Sequence, residues 1–301
     1  MDTRRLHHFL AVYQLGSIGH AASKLPITQP ALSKSIRALE VELDCELFER
    51  TPSGVVPTVF GEALAYHARI IEGEMASARA RLAELRGGTK GEVRVGVGPS
   101  VAVNMMPRVT RAMQVERPGV QIEVQEGLAD TLVPALRLGE LDMVVGLWPR
   151  ALDREFHVVT LLQDEIGVLA AADHPLAGRR ADLSELTRFP WALPPRTQRW
   201  RQSLDEHFLG HGLEPPRPHV ESNSAAYLKS LILGGEVLSY LPAQLVRSGD
   251  QEGAIVRIDA DLPVLRPPVS VTYRETAIRL PACAHMITVL KTVGEEMKAG
   301  A

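Results

Sequence analysis

Between Ile27 and Arg50 the apolar residues fall at Leu32, Ile36, Leu39 and Leu43, spacings that lay a single stripe along a helix. The other side carries Gln29, Ser33, Lys34 and Arg37, hydrogen-bond donors suited to base edges and phosphates, with no carboxylate before Glu40. Upstream, Leu6, Phe9, Leu10 and Tyr13 predict an amphipathic helix over 3–15 that stops at Gly16. Ser17 is placed to cap a second short helix containing Ala21, Ala22 and Leu25, which Pro26 ends. Thr28 is placed to cap the third, with Gln29 and Pro30 in its first turn, where proline forfeits no intrahelical bond. CELFERTPSGVVPT then reads as strand, turn and strand, a wing. Helix, short turn, helix is an arrangement whose second member enters the DNA major groove by its amino end.

Downstream of Thr58 the period lengthens. Leu64, Ala68, Ile71, Met75, Ala78, Leu82 and Leu85 form an a/d seam on a long helix running to Arg86, about 40 Å at 1.5 Å per residue. Such a seam asks for a second helix, and Gly87-Gly88 ends it as a joint. Beyond residue 91 strands and helices alternate: strands at 92–97, 120–125 and 141–146 with helices at 101–116 and 130–138, predicting a parallel α/β sheet. A second alternation follows, with a strand from 164 to 171, helices near 199–211 and 223–234, and a strand at 237–240. RLGELDMVVG and LGGEVLSYLP are matching helix-Gly-Glu-strand junctions, which points to two similar lobes. A strand at 269–273 returns the chain to the first lobe, and a helix at 282–298 completes it.

Composition narrows the reading. A chain of 301 residues suits two or three domains. Its 33 Lys and Arg against 36 Asp and Glu exclude a bulk basic charge, so any DNA contact is local. Residues 1–60 hold six basic and six acidic side chains, so one copy binds weakly and depends on pairing. Cys45 and Cys283 form neither a disulfide framework nor a metal cluster. The amino terminus lacks a signal peptide's apolar run and no stretch is long enough to span a bilayer, so a cytoplasmic protein without membrane partners is expected. The glycines at Gly96 and Gly98 lack the rest of a dinucleotide fingerprint, and HExxH, GxSxG and Walker patterns are absent. No enzyme and no metal or cofactor is expected.

The stretch GSIGHAASKLPITQPALSKSIRALEVELDCELFERTPSGVVPTVFG resembles the winged helix-turn-helix of the LysR-type transcriptional regulators. Ile18 and Gly19 replace a frequent aromatic and hydroxyl pair, and Asp44 replaces a usual glycine. The resemblance implies a winged helix-turn-helix over 1–58, a linker and dimerisation helix over 59–88 and a two-lobed α/β effector-binding domain over 89–301, similar to periplasmic solute-binding proteins. Lobe I takes 91–162 and 268–301, lobe II 163–267.

Within the reader, Gln29 is suited to an adenine edge, Pro30 and Ala31 to thymine methyls, and Ser33 to base or phosphate. Lys34 and Arg37 suit phosphates, Arg50 the backbone or minor groove, and Thr28 and Thr58 complete the candidate DNA-binding set. Candidate effector contacts cluster at strand-to-helix turns, where free N–H groups and the helix dipole favour an anion: Ser100 and Val101, Leu128 and Thr131, and Ser222, Asn223 and Ser224. At Leu128 the family often has a hydroxyl residue, for which Thr131 is the substitute. Trp148, Pro149 and Trp200 lie where the family places cleft residues and supply an apolar wall. The expected ligand is a small inducer, an aromatic or aliphatic carboxylate. The expected partners are an interrupted palindromic DNA operator, further copies of the chain as a dimer through the linker helix and a homotetramer, and RNA polymerase. The competing reading is a solute receptor whose amino-terminal unit is only an oligomerisation cap.

Overall fold

In the computed structural model, which describes residues 1–85, 91–147, 156–235, 237–246, 253–262 and 264–299 (side chains of 77, 80, 81 and 83–85 excepted), the chain divides into two units. The first is residues 1–88 with 134–141, the second the remainder.

Helix α1 (Thr3–Leu15) ends where Gly16 takes a left-handed φ of 60° and returns its N–H to Val12. Ser17 caps α2 (Ile18–Lys24), its hydroxyl accepting from the His20 N–H at 3.3 Å. Helix α3 spans Gln29–Leu43, with proline in its first turn. The capping expected of Thr28 does not occur; its hydroxyl makes no cap bond. Strands β1 (Phe48–Thr51) and β2 (Gly54–Pro57) pair antiparallel as the wing. The wing is pinned to the end of α1, because the Val55 N–H donates to the Gly16 carbonyl at 2.8 Å. A Cβ at Gly54 would stand 2.3 Å from that same oxygen, so this approach requires glycine. Leu6, Phe9, Leu10, Leu32, Ile36, Leu39 and Leu47 form the buried core of the reader.

Helix α4 runs Val59–Leu85. Thr58 starts it: its hydroxyl donates to the Glu46 carbonyl at 2.7 Å and accepts from the Gly61 N–H at 3.1 Å. The a/d seam has two fates. Ala68 is buried in the core of the first unit and Leu64 and Ile71 pack against it, whereas Ala78 and Leu82 are exposed. Only the later part of the seam is thus free for a second helix, because the first turns serve their own domain.

The second unit holds lobe II and, apart from residues 134–141, lobe I. In lobe I, β3 (Glu92–Val97), β4 (Gln121–Glu126), β5 (Met143–Leu147) and β6 (Phe156–Gln163) join a returning strand, Pro268–Arg274, in a five-stranded sheet. The three strands expected to be parallel are so, β3 pairing parallel with β4 and β5, while the returning Pro268–Arg274 runs antiparallel to both β5 and β6 and makes the sheet mixed. That strand comes back from lobe II and enters from the opposite end. Strand β5 is central, with Met143, Val144 and Val145 fully buried. The predicted helix over 101–116 is two, α5 (Pro99–Val103) and α6 (Met105–Glu116), broken at Asn104. Helix α7 is Ala129–Leu138.

Lobe II repeats the scheme. Strand β7 (Ile166–Ala171) crosses over, followed by β8 (Arg180–Ala181), α8 (Leu183–Leu186), β9 (Trp191–Leu193), α9 (Arg199–Gly210), β10 (Pro218–Glu221), α10 (Ala225–Leu233) and β11 (Ser239–Pro242). Strand β12 (Ile255–Arg257) pairs with β7, and β13 (Asp259–Ala260) with β8. Returning strand β14 is Pro268–Arg274, followed by α11 (Glu275–Ile278) and α12 (Pro281–Ala299). β9 and β10 are parallel, a parallel bridge from Trp191 to Leu238 joins β9 to the start of β11, and β7 lies antiparallel between β11 and β12. The order β10, β9, β11, β7, β12 matches β4, β3, β5, β14, β6 strand for strand. The two matching junctions read from sequence each contain a glycine of positive φ, Gly139 at 76° and Gly235 at 109°. The crossovers between lobes lie side by side, with the Asp164 N–H on the Pro267 carbonyl at 3.0 Å and the Ile166 N–H on that of Leu265 at 2.9 Å.

Candidate nucleic-acid interface and interlobe chamber

On the first unit Gln29, Pro30, Ala31, Lys34 and Arg37 are exposed along α3, and Thr28 is exposed just before it. Ser33 is half-buried and lines, with Arg37 and the wing's Arg50, a groove between α3 and the wing. Thr58 stands apart from this face in function, since both of its hydroxyl bonds serve the start of α4. Gly19 lies under Gln29: a Cβ there would be 3.6 Å from the Gln29 Oε1.

Of the acidic residues of the same unit, Glu40, Glu46 and Glu49 line the groove between α3 and the wing, and others pair elsewhere. Glu42 takes the Arg5 guanidinium at 2.8 Å, and Glu40 accepts the Leu47 N–H at 3.0 Å, fixing the entry to the wing. Lys34, Arg37 and Arg50 have no ion-pair partner among the described residues. Lys34 and Arg37 on the outer face of α3 are thus cations without ion-pair partners, although carboxylates share the groove beside Arg37 and Arg50. His8 links α1 to α3, its Nδ1 2.8 Å from the Ser35 hydroxyl, and burial lowers its pKa, with His7 adding to the effect.

In the second unit a narrow chamber lies between the lobes, with an open mouth. Lobe I contributes Gly98, Pro99, Ser100, the Gly127–Ala129 turn and Leu147; lobe II contributes Pro194, Pro195, Gln198, Trp200, Ser222, Asn223 and an apolar floor from α10 and β11. Ser100, Leu128, Trp200, Ser222 and Asn223, chosen from sequence, all line it. Val101 does not; it is buried and its N–H turns back to the Gly98 carbonyl at 3.0 Å. Thr131 is exposed and bonds the Leu128 carbonyl at 3.1 Å, and Ser224 caps α10 through the Tyr227 N–H at 3.3 Å. These hydroxyls belong to their own helix starts rather than to the chamber. Trp148 and Pro149 lie outside the described residues, as does the Gly87-Gly88 joint.

Sequence reasoning missed Gln198, which heads α9 with a buried side chain, and the floor residues Leu228, Leu241 and Leu245. It also missed Arg201, fully buried one turn on, which donates from Nε to Asp205 at 3.0 Å and from Nη1 to the Pro194 carbonyl at 3.3 Å, tying α9 to the chamber wall. Asn104, at the break between α5 and α6, is buried and donates to the Gln244 carboxamide in the turn after β11, a direct bond between lobes beside the chamber. Among the described residues that line the chamber there is no lysine, arginine or histidine.

A winged helix-turn-helix, a long connecting helix and a two-lobed unit with an interlobe chamber define a DNA-binding regulator with a sensor domain. Comparison with known families agrees: residues 3–62 match the bacterial regulatory helix-turn-helix protein model of the lysR family, and residues 86–295 match the LysR substrate binding domain. The chain belongs to the LysR family of transcriptional regulators. Among similar proteins are the nitrogen assimilation regulatory protein nac of Klebsiella aerogenes, 31% identical over 86% of this chain and 84% of that one, and the regulator GalR of Pseudomonas putida, 27% identical over 97% of this chain and 74% of that one. The fold of CbnR, a LysR family regulator, matches with a TM-score of 0.71 at 22% identity over 98% of this chain and 99% of that one. Full-length CbnR complexed with its target DNA matches at 0.70 and 22% identity, over 97% of this chain and 100% of that one. The solute-receptor reading is thereby set aside. Among the described residues no helix is long and apolar enough to cross a membrane.

Proposed function

We propose that this regulator works in the cytoplasm as a dimer or tetramer on an interrupted palindromic operator, and that a small carboxylate with an apolar body, entering the interlobe chamber, changes how the two readers of a pair are presented. The observation that carries the reading is the chamber itself: an apolar floor beneath Ser100 at the head of α5, with the lobes joined there by the Asn104–Gln244 bond. Closure around a ligand acts on transcription only if the ligand prefers one lobe arrangement over the other. Pairing is supported by the exposed Ala78 and Leu82 of the linker seam, and the complex of CbnR with its target DNA supports the mode of operator binding. RNA polymerase is the partner such a bound oligomer would recruit or exclude. No resident cofactor is proposed.

The experiment is a thermal-shift screen of small carboxylates and neutral sugars on the full chain, followed by gel shifts with DNA upstream of its own gene in the presence of any hit. A carboxylate that raises the melting temperature and alters the gel-shift pattern is the expected result. Binding of neutral sugars with no response to any carboxylate would sink the ligand assignment.

A further inference from the structure

Gln29 opens α3 with an exposed side chain whose amide makes no hydrogen bond to any described residue. An amide with no internal partner turns freely, so its carbonyl oxygen and its NH₂ exchange places. Facing it is Gly19, in the first turn of α2. A Cβ built at Gly19 would stand 3.6 Å from the Gln29 Oε1 and 3.8 Å from its Cδ, which is ordinary van der Waals contact. The position has room for a small side chain, and neither crowding nor a left-handed φ requires glycine there. Glycine within a helix is less stable than alanine, so the fold itself gains nothing from the empty position. The nearest hydroxyl, that of Ser17 at 3.9 Å from the same point, is committed to capping α2, where it accepts the His20 N–H at 3.3 Å.

We propose that Gly19 sets how strictly Gln29 reads its base: by leaving the amide unheld, it lets the reader accept more than one base at that pair. This rests on Gln29 being a base contact. Adenine is read when Oε1 accepts from N6–H₂ and the NH₂ donates to N7. With the amide turned, the NH₂ alone serves the N7 or O6 of guanine, or the O4 of thymine. Both poses are open to a free amide, so discrimination falls to the lower end of what a bidentate contact supplies, about fivefold. Gly19→Ser places a hydroxyl one bond beyond the Cβ, within hydrogen-bond reach of Oε1. Its O–H donates to one lone pair of that oxygen, leaving the other for adenine N6 and the NH₂ for N7. The amide is then held in the adenine-reading pose before DNA arrives, and preference for adenine rises.

The test uses the full chain and duplexes from the DNA upstream of its own gene, with each base pair of the bound segment changed in turn and affinity read by fluorescence anisotropy. The pair read by Gln29 is the one whose substitution penalty disappears in Gln29→Ala. If no pair behaves so, Gln29 is not a base contact and the proposal falls with that reading. At that pair the wild type should discriminate by about fivefold or less, and Gly19→Ser should favour adenine by about 25-fold or more. Gly19→Ala, which firms α2 without supplying a hydroxyl, should stay within about twofold of the wild type. In the Gln29→Ala background Gly19→Ser should change nothing at that pair. A wild-type penalty already near 25-fold, an equal rise in Gly19→Ala, no rise in Gly19→Ser, or a rise that survives Gln29→Ala would each overturn the proposal while leaving Gln29 a base reader. Both Gly19 variants should melt no lower than the wild type; a fall would show a position held by crowding and would overturn it too.

Discussion

Lys34→Ala tests whether the neutral first unit binds DNA through a few free cations. Lys34, Arg37 and Arg50 are exposed without ion-pair partners among the described residues, so each subunit offers three phosphate contacts and a dimer six. At about 0.9 counterions released per contact, the slope of log K against log salt is about −5 for the dimer. Affinity then falls roughly a thousandfold between about 50 and 200 mM salt. Lys34→Ala removes two contacts per dimer; the slope should relax to about −3.6 and the loss over the same range to about 150-fold. Gln29→Ala should cost about 1–3 kcal/mol on the operator and leave the slope unchanged, because a base contact releases no counterion. The assay is fluorescence anisotropy with operator and scrambled duplexes over a salt series. A Lys34→Ala slope equal to the wild type, or a wild-type slope near −1, would refute the assignment of these side chains to phosphates.

Asp44 closes α3 at φ 50°, where a side chain is disfavoured by about 1–2 kcal/mol and glycine is not. Asp44→Gly should therefore stabilise the reader by about 0.5 kcal/mol after the entropy lost by glycine on folding, and Asp44→Ala should destabilise it; urea denaturation that ranks Gly below Asp contradicts this. Burial lowers the pKa of His8, and also that of His174, whose Nδ1 accepts the Leu176 N–H at 3.2 Å. Each contributes stability that is complete above the unfolded value of about 6.5 and is lost as pH falls towards the lowered folded value, since only the unfolded chain takes up the proton there. Melting temperature should drop between pH 7.5 and 5.5, about these pKa values, and His174→Asn, which keeps an acceptor but cannot titrate, should show a smaller drop; an unchanged drop assigns the effect elsewhere.

The reader was largely legible because its instructions are local. Apolar spacing gave α1 and α3, Gly16 and Ser17 punctuated them, and the wing turn needs a residue such as Gly54 that tolerates close backbone contact. What escaped there were choices set by partners far along the chain. Thr28 and Thr58 have the same hydroxyl and stand equally just before a helix, yet only Thr58 is drawn into capping, where the Glu46 carbonyl and the Gly61 N–H meet it. The a/d seam of α4 likewise cannot state which helix it serves; Leu64 and Ile71 go to the unit's own core because α1 is already alongside.

The chamber was harder to read for a different reason. A serine or threonine at a strand-to-helix turn has two uses, as a cap for its own helix and as a contact for a ligand, and sequence spacing does not separate them. Packing does: Ser100 is buried against the facing lobe, while Ser224 and Thr131 are exposed and bonded within their own turns. Gln198 gave no such signal, since glutamine before a helix usually sits in water and only the closing of α9 against Pro194, held by the buried Arg201, brings it inside. The α5–α6 break at Asn104 did leave a signal, Pro107, which belongs in the first turn of a helix and so marks a new start at Met105; the bond from Asn104 to Gln244, 140 residues away, accompanies it. The residues that define the sensor are thus those whose local preference is overruled by the opposite lobe, which is where a ligand would act on the same balance.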